Sequence, residues 1–214
     1  MRKGLTASAA CLAAVTLSAG MTSTASANAL SAPDRITIDV KTVNGSGCPA
    51  GTAAVAPSSD ATSFTVTYSD YLAQAGGNSN PTDFRKNCQL SLQVHIPQGF
   101  TYAIASADYR GFASLEKGAS GMERANYYFQ GLSQTTPISH NVKGPYSNNW
   151  QFTDRTDVAE LVWKPCGEER NLNVNTELRV DKGSSKGTSF MSFDSTDGSV
   201  KTIYHFAWKK CPGA

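Results

Sequence analysis

The chain has 214 residues, of which 40% are hydrophobic and 17% are charged, and its formal net charge is +2. The positive excess comes from Arg2 and Lys3 at the N-terminus, so the rest of the chain carries equal numbers of basic and acidic residues. A neutral chain without a basic cluster lacks the electrostatic footprint of a nucleic-acid-binding protein. It also lacks the polybasic segment that binds anionic membranes.

The first predicted element is a signal peptide. Arg2 and Lys3 open the chain, residues 9–19 form a short apolar run, and Ala25-Ser26-Ala27 matches an A-x-A cleavage site. This order is typical of a secretory signal peptide, and the apolar run is too short to span a membrane. We therefore predict a signal peptide over residues 1–27 and a single secreted, extracellular domain over residues 28–214, without membrane attachment after cleavage.

Short runs of alternating polarity follow, separated by Gly, Pro, Asn and Asp. The runs lie at residues 35–42, 62–69, 89–96, 100–109, 124–130, 158–164, 171–180, 188–193 and 200–208. Alternation with a period of two, in short runs, is typical of strands in a sheet with one buried face. About ten strands at this close spacing predict an all-β fold, an antiparallel β-sandwich of jelly-roll type.

Two segments of the predicted sandwich stand out. Residues 132–157 are polar and contain several Gly and Asn residues, and we interpret them as a long excursion over one end of the sandwich, where functional loops often lie. Tyr127, Tyr128 and Phe129 are consecutive, so at least one ring must face away from the other two. We predict that at least two of the three rings lie in the core.

The run at residues 171–180, NLNVNTELRV, is the candidate binding strand. Its polar side carries Asn171, Asn173, Asn175, Glu177 and Arg179. Asn is disfavoured in strands, and amides at alternate positions lie about 7 Å apart, which suits the hydroxyl groups of a sugar. The alternative is that these side chains only pair with neighbouring strands and loops. We select Asn171, Asn173, Asn175 and Glu177 as candidate binding residues.

The number and spacing of the cysteines predict disulfide bonds. Cys11 would leave with the signal peptide, and the four that remain, an even number in a secreted chain, predict two disulfides. Their wide spacing does not fit a zinc site. Three pairings are possible, and we favour Cys48–Cys88 with Cys166–Cys211, because each pair encloses a continuous block of strands.

No sequence motif identifies a catalytic residue, a metal site or a cofactor site. Ser114-Leu115-Glu116-Lys117 matches S-x-x-K, but that chemistry requires the serine at the start of a helix. The three histidines lack metal-site spacing, and Asp194–Gly198 does not fit a calcium loop. A glycosidase pair would have to come from Asp108, Glu123, Asp154, Glu160 or Glu168, and the sequence does not show which of these face each other.

Several long runs resemble a known family. GSGCPAGT, RKNCQLSLQVHIPQGF, DYRGF, YYFQG, WKPCGEERNLNVNTELRV and YHFAWKKC, in this order, resemble the small secreted proteins of bacteria and fungi called domain of unknown function 4360. The likeness extends from about Val40 to Cys211. The resemblance implies secretion, four cysteines in register and an all-β body, and it implies no substrate, cofactor or catalytic residue.

Together these observations lead us to expect a non-catalytic extracellular protein that binds or structures cell-wall material or another polysaccharide. Its partner would be an extracellular glycan or a secreted or surface protein. Two alternatives remain open. One is a small secreted hydrolase acting on glycans, and the other is an inhibitor or effector that binds a partner protein through residues 132–157.

Overall fold

A computed structural model describes residues 32–193 and 202–213, which form twelve strands and one short 3-10 helix. The strands are β1 Thr37–Asn44, β2 Ala53–Pro57, β3 Ser63–Tyr68, β4 Leu72–Ala75, β5 Arg85–His95, β6 Phe100–Leu115, β7 Ser120–Phe129, β8 Ile138–Lys143, β9 Tyr146–Arg155, β10 Leu172–Asp181, β11 Ser189–Ser192 and β12 Thr202–Lys210, and the 3-10 helix is Val158–Glu160. The predicted signal peptide and the turn at Asp194–Gly198 lie outside the described residues.

Two antiparallel sheets enclose one hydrophobic core, which confirms the predicted β-sandwich. The first sheet has five strands in the order β1-β5-β10-β7-β8. The second has seven strands, with β2-β3-β12-β6-β11-β4 as its main path and β9 paired to β6. Strand β10 is therefore the central strand of the five-stranded sheet, with β5 on one side and β7 on the other.

Alternation along β10 sets the position of its two faces. Leu172, Val174, Thr176, Leu178 and Val180 point inward and are at most 3% exposed. Full burial of a leucine or valine side chain is worth about 1.5–3 kcal/mol, and a slip of one residue would move this whole row into water. The apolar row therefore fixes which side chains the strand presents on the outer face.

Both predicted disulfides are confirmed, and their surroundings differ. Cys48–Cys88 is buried, with the two residues at most 2% exposed. Cys166–Cys211 lies at the surface, where Cys166 is exposed and Cys211 is half-buried. The second bridge joins the chain just before β10 to the residue that follows β12.

Residues 132–157 are not the long loop expected from the sequence. Most of the segment forms strands β8 and β9, joined at a cis Gly144–Pro145 peptide. Strand β8 pairs with β7 in the five-stranded sheet and β9 pairs with β6 in the seven-stranded sheet, so the chain crosses between the two layers at this turn. The alternation that buries Val142 and Trp150 is obscured in the sequence by the polar residues around them.

Residues 158–164 were expected to form a strand, and this prediction is wrong. The segment contains the 3-10 helix and an irregular stretch, and Val158 is 83% exposed. Lys164 makes isolated contacts with β6: its backbone N–H donates to the carbonyl of Tyr102, and its own carbonyl accepts from Thr101 Oγ1. Strands β2 and β4, which are four or five residues long, were not predicted.

Candidate functional site

The candidate residues of β10 lie on the outer face of the five-stranded sheet, pointing away from the core. Asn171, Asn175 and Glu177 are half-buried, and Asn173 is 9% exposed. The second sheet packs against the opposite, apolar face, so it does not cover these side chains. Their burial comes from neighbours on the same face.

Strand register aligns Asn175 with three further carboxamides. Asn175 is paired with Gln89 of β5 and with Asn126 of β7, and Gln89 is paired with Asn44 of β1. We call Asn44, Gln89, Asn175 and Asn126 the amide row. Because adjacent strands lie about 4.8 Å apart, the row extends about 14 Å across the sheet.

Most of the amide row has no partner within the protein. Asn126 Nδ2 donates to Gln134 Oε1 at 3.3 Å. Within residues 32–193 and 202–213, the side chains of Asn44, Gln89 and Asn175 make no hydrogen bond. A carboxamide offers two donor hydrogens and an acceptor oxygen, so these three groups are available to water or to a ligand.

A second polar row lies beside the amide row. Asn173 is paired with Ser91 of β5 and with Tyr128 of β7. Asn171 Nδ2 donates to Ser91 Oγ at 3.2 Å, so this amide is engaged within the protein. Tyr128 is half-buried on the outer face, whereas Tyr127 and Phe129 lie in the core, which confirms the prediction of two core rings.

The connection between β7 and β8 lies along one side of the amide row. Thr135 holds it in place, because its Oγ1 donates to the carbonyl of Tyr127 at 2.7 Å and accepts from the Tyr127 N–H at 3.1 Å. Farther along, Pro137 lines a depression of about 280 Å³ together with Asn126 and Asn175. The connection thus converts part of a flat sheet face into a shallow pocket.

Glu177 is two residues beyond Asn175, on the same face of β10, and is held by two arginines. Its Oε2 accepts hydrogen bonds from Arg85 Nε at 2.8 Å and Nη2 at 2.5 Å, and its Oε1 lies 3.1 Å from Arg179 Nη2. The hydrogen bond to Glu177 raises the pKa of the Arg85 guanidinium. Glu177 therefore holds two arginine side chains in place, and its selection as a binding residue stays a prediction.

Two of the carboxylates considered for hydrolysis, Glu123 and Asp154, are buried. Glu123 and Asp154 interact electrostatically, but they are only 0% and 3% exposed. Burial, together with the charge of Asp154, raises the pKa of Glu123 well above its usual value. A polysaccharide could not reach this pair without the two sheets separating.

Each histidine is paired with an aspartate. The Nε2-to-carboxylate distances are 2.6–3.1 Å for the pairs His95–Asp39, His140–Asp154 and His205–Asp108. In the described part of the chain, no cluster of three or more His, Cys, Asp or Glu side chains could hold a metal ion. The Ser114–Lys117 motif lies at the end of β6 and in the following turn, so its serine does not begin a helix.

Another depression, of about 630 Å³, adjoins the Cys166–Cys211 bridge. Lys164 extends to this region and donates from Nζ to the carbonyls of Pro165 and Glu168. Desolvation by burial lowers the pKa of Lys164. This lysine fixes the turn around Cys166 and is already used by backbone acceptors.

Sequence reasoning missed Asn44, Gln89 and Asn126 as members of the site. Gln89 lies on the polar phase of the predicted strand at residues 89–96, and Asn126 alternates with Arg124 and Tyr128. Their positions among the polar residues could have marked both as members of the outer face. The register that brings these positions level with Asn175 was not contained in any single strand.

Comparison with known proteins identifies the chain's relatives. The family model for the domain of unknown function DUF4360 matches residues 34–211. The chain belongs to the DUF4360 family. An uncharacterized secreted protein of Arthroderma benhamiae is 38% identical over 179 residues, covering 84% of this chain and 73% of that protein. This DUF4360 protein is secreted, as its sequence predicted.

Two solved structures show distant similarity to this DUF4360 chain. One is TmCBM61 in complex with β-1,4-galactotriose, with 10% identity, a TM-score of 0.29 and coverage of 85% of this chain and 92% of that one. The other is the enzymatically active domain of tailspike protein 4 of bacteriophage CBA120, with 11% identity, a TM-score of 0.28 and coverage of 79% and 19%. Scores this low assign no ligand.

Residues 32–193 and 202–213 contain no helix suited to crossing a bilayer.

Proposed function

We propose that this secreted protein binds an extended extracellular polysaccharide across the outer face of its five-stranded sheet. The observation that carries the proposal is the amide row, in which four carboxamides from four adjacent strands stand level and three lack a partner in the described chain. The proposed role is binding, without chemical change of the glycan.

The chemistry of the row suits sugar hydroxyls. A hydroxyl group both donates and accepts, and a carboxamide supplies both complements within one side chain. Sites for neutral ligands typically combine a few such groups with apolar or aromatic surface. Here Tyr128, beside Asn173, provides a half-exposed ring that could pack on the face of a pyranose.

Retention on insoluble peptidoglycan, chitin and cellulose tests this proposal. We expect at least one of these glycans to retain the wild type. The double variant N175A/Q89A should weaken retention by about tenfold or more, because two hydrogen-bonding side chains are lost. The matched control is Q151A, which removes an exposed carboxamide from β9 in the seven-stranded sheet.

The control should be retained like the wild type. If N175A/Q89A is also retained like the wild type, the outer face of the five-stranded sheet is not the binding surface. If the wild type is retained by none of the three glycans and also binds no soluble acidic polysaccharide, the proposed function is wrong.

Exposed apolar residues favour a second function, the binding of a partner protein. Ile138 and Val162, both 37% exposed, line a depression of about 500 Å³ with Thr135 and Thr156. Leu132 and Val158 in the same part of the chain are also exposed. Co-purification of one defined partner from culture medium, lost in the I138S/V162S variant and kept in Q151A, would support this second function.

A further inference from the structure

Three arginines lie on the outer face on one side of the amide row: Arg124 is two residues from Asn126, and Arg85 and Arg179 are four residues from Gln89 and Asn175. Glu177 is paired in register with Arg124 of β7, and Arg179 is paired with Arg85 of β5. Glu177 is two residues from Asn175, so this charged zone begins about 7 Å from the amide row. We call Arg85, Arg124 and Arg179 the arginine end of the face.

Glu177 is the one carboxylate that pairs with the arginine end among the described residues, so positive charge remains in excess there. Glu177 is shared between Arg85 and Arg179, whose side chains remain 45% and 47% exposed. Arg124 is exposed and makes no hydrogen bond or ion pair with any described residue. Arg85 uses Nε and Nη2 for Glu177, which leaves its Nη1 without a partner in the same part of the chain.

The opposite end of the same face carries carboxylates, including Glu169. Gln93 Nε2 donates to Glu169 Oε2 at 3.0 Å, and this carboxylate has no ion pair among the described residues. The adjacent Glu168 is neutralised by Arg170, with the charged atoms 2.6 Å apart. The face therefore runs from an end where carboxylates and cations lie together, through uncharged amides, to an end with excess positive charge.

The depression of about 280 Å³ joins the amides to the excess charge. Its lining includes Arg85, Arg124, Asn126 and Asn175. A guanidinium presents its N–H groups as a planar fork that matches the oxygens of a carboxylate or a phosphate. A sugar unit seated here would have amides at its hydroxyls and guanidinium groups at any acidic substituent.

We infer that the polysaccharide is acidic, and that one of its carboxylate or phosphate groups binds between Arg85 and Arg124, next to Asn175. This inference rests on the proposed function, because it concerns the same face. It adds the chemical class of the ligand and its orientation, with acidic groups directed to the arginine end and away from Glu169.

The test compares two soluble polymers with the same backbone, polygalacturonate and its fully methyl-esterified form. We expect the wild type to bind the acid about tenfold more tightly at low salt, because charge-assisted hydrogen bonds are stronger than neutral ones. The difference should shrink as ionic strength rises. Poly(glycerol phosphate) forms a second arm, which distinguishes a phosphate ligand from a carboxylate ligand.

Arg124→Gln is the decisive variant, since its side chain is exposed and can change without disturbing the core. R124Q should lose most of the preference for the acidic polymer and keep its affinity for the ester. The control is K210Q, because Lys210 is an exposed cationic residue on β12 in the seven-stranded sheet. That control should keep the preference in full.

Three results would overturn the inference. One is equal affinity of the wild type for the acid and the ester, with poly(glycerol phosphate) bound no better than either. A second is an acidic preference that survives in R124Q. A third is the binding of neutral glycans alone, which would leave the proposed function intact. Failure to bind any glycan, neutral or acidic, would remove both proposals together.

Discussion

The two faces of the five-stranded sheet each carry polar groups without protein partners, and their settings differ completely. On the inner face, Glu123 is 0% exposed and both carboxyl oxygens lack a hydrogen bond within the described residues. On the outer face, Asn175 and Gln89 lack partners while remaining accessible. An unpaired group costs free energy only where water is excluded.

This difference separates folding from function on a single sheet. The inner face should respond to substitution through stability, because its side chains exchange water for packing. The outer face should respond through binding, because water already solvates its free amides. Substitutions on the two faces therefore test whether stability and binding are separated in this way.

The largest effect is expected from Leu178→Ala on the inner face of β10. Leu178 is fully buried, and truncation removes its packing and leaves a cavity. Such changes lower the free energy of unfolding by about 2–5 kcal/mol. Urea denaturation of the disulfide-intact protein measures the change. A loss below about 1 kcal/mol would show that the inner face of β10 is loosely packed.

Glu123→Gln should change stability in the opposite direction. At neutral pH, E123Q should raise the free energy of unfolding by about 1 kcal/mol or more, because Glu123 ionises freely in the unfolded chain but is resisted by burial and Asp154 in the folded one, whereas Gln does not titrate. Gln is close in shape, so the packing of β7 is preserved. Thermal unfolding of wild type and E123Q at pH 7 measures the difference.

The same residue predicts a dependence on pH. Burial and Asp154 raise the folded-state pKa of Glu123 above its ordinary 4.5, so the folded state holds a proton that the unfolded state releases. The stability of the wild type should therefore fall as pH rises from 4.5 towards the folded pKa. E123Q should lack this decline, and parallel pH profiles for the two proteins would contradict the assignment.

Glu177→Gln on the outer face should have a smaller effect. The change removes the charge that holds Arg85 and Arg179, but both arginine side chains are nearly half exposed. Ion pairs in such settings contribute about 0–1 kcal/mol. Denaturation should show a loss within that range, and added salt should reduce it further.

The smallest stability effect is expected from Asn175→Ala. Its side chain has no partner among the described residues, so the free energy of unfolding should change by less than about 0.5 kcal/mol. A denaturation curve superimposable on that of the wild type, combined with weakened glycan retention, would sharpen the contrast between the faces. A loss comparable with that of L178A would remove it.

Local alternation made much of this fold predictable. Strand β10 was found because Leu172, Val174 and Leu178 recur at every second position between polar residues. Residues 158–164 show the same alternation, yet they form no strand and leave Val158 in solvent. Alternating polarity indicates that a segment can form a strand. Whether it does depends on whether a neighbouring strand is free to pair with it.

Register explains what the sequence left undetermined at the candidate site. Asn171, Asn173 and Asn175 are equivalent when read along one strand. Pairing distinguishes them, because Asn171 bonds to Ser91, whereas Asn175 meets Gln89 and Asn126. These contacts depend on residues about 50 to 90 positions away, which single-strand patterns do not specify.

The Cys48–Cys88 bridge has a consequence for survival among extracellular proteases. The glycine-containing loop at residues 76–82 is partly exposed, a favoured kind of cleavage point, and it lies inside the ring that this bridge closes. A single cut there would leave both fragments covalently joined. Asn44 and Gln89, which flank the bridge on either side, would remain in one molecule, so a nicked protein would keep its row of amides.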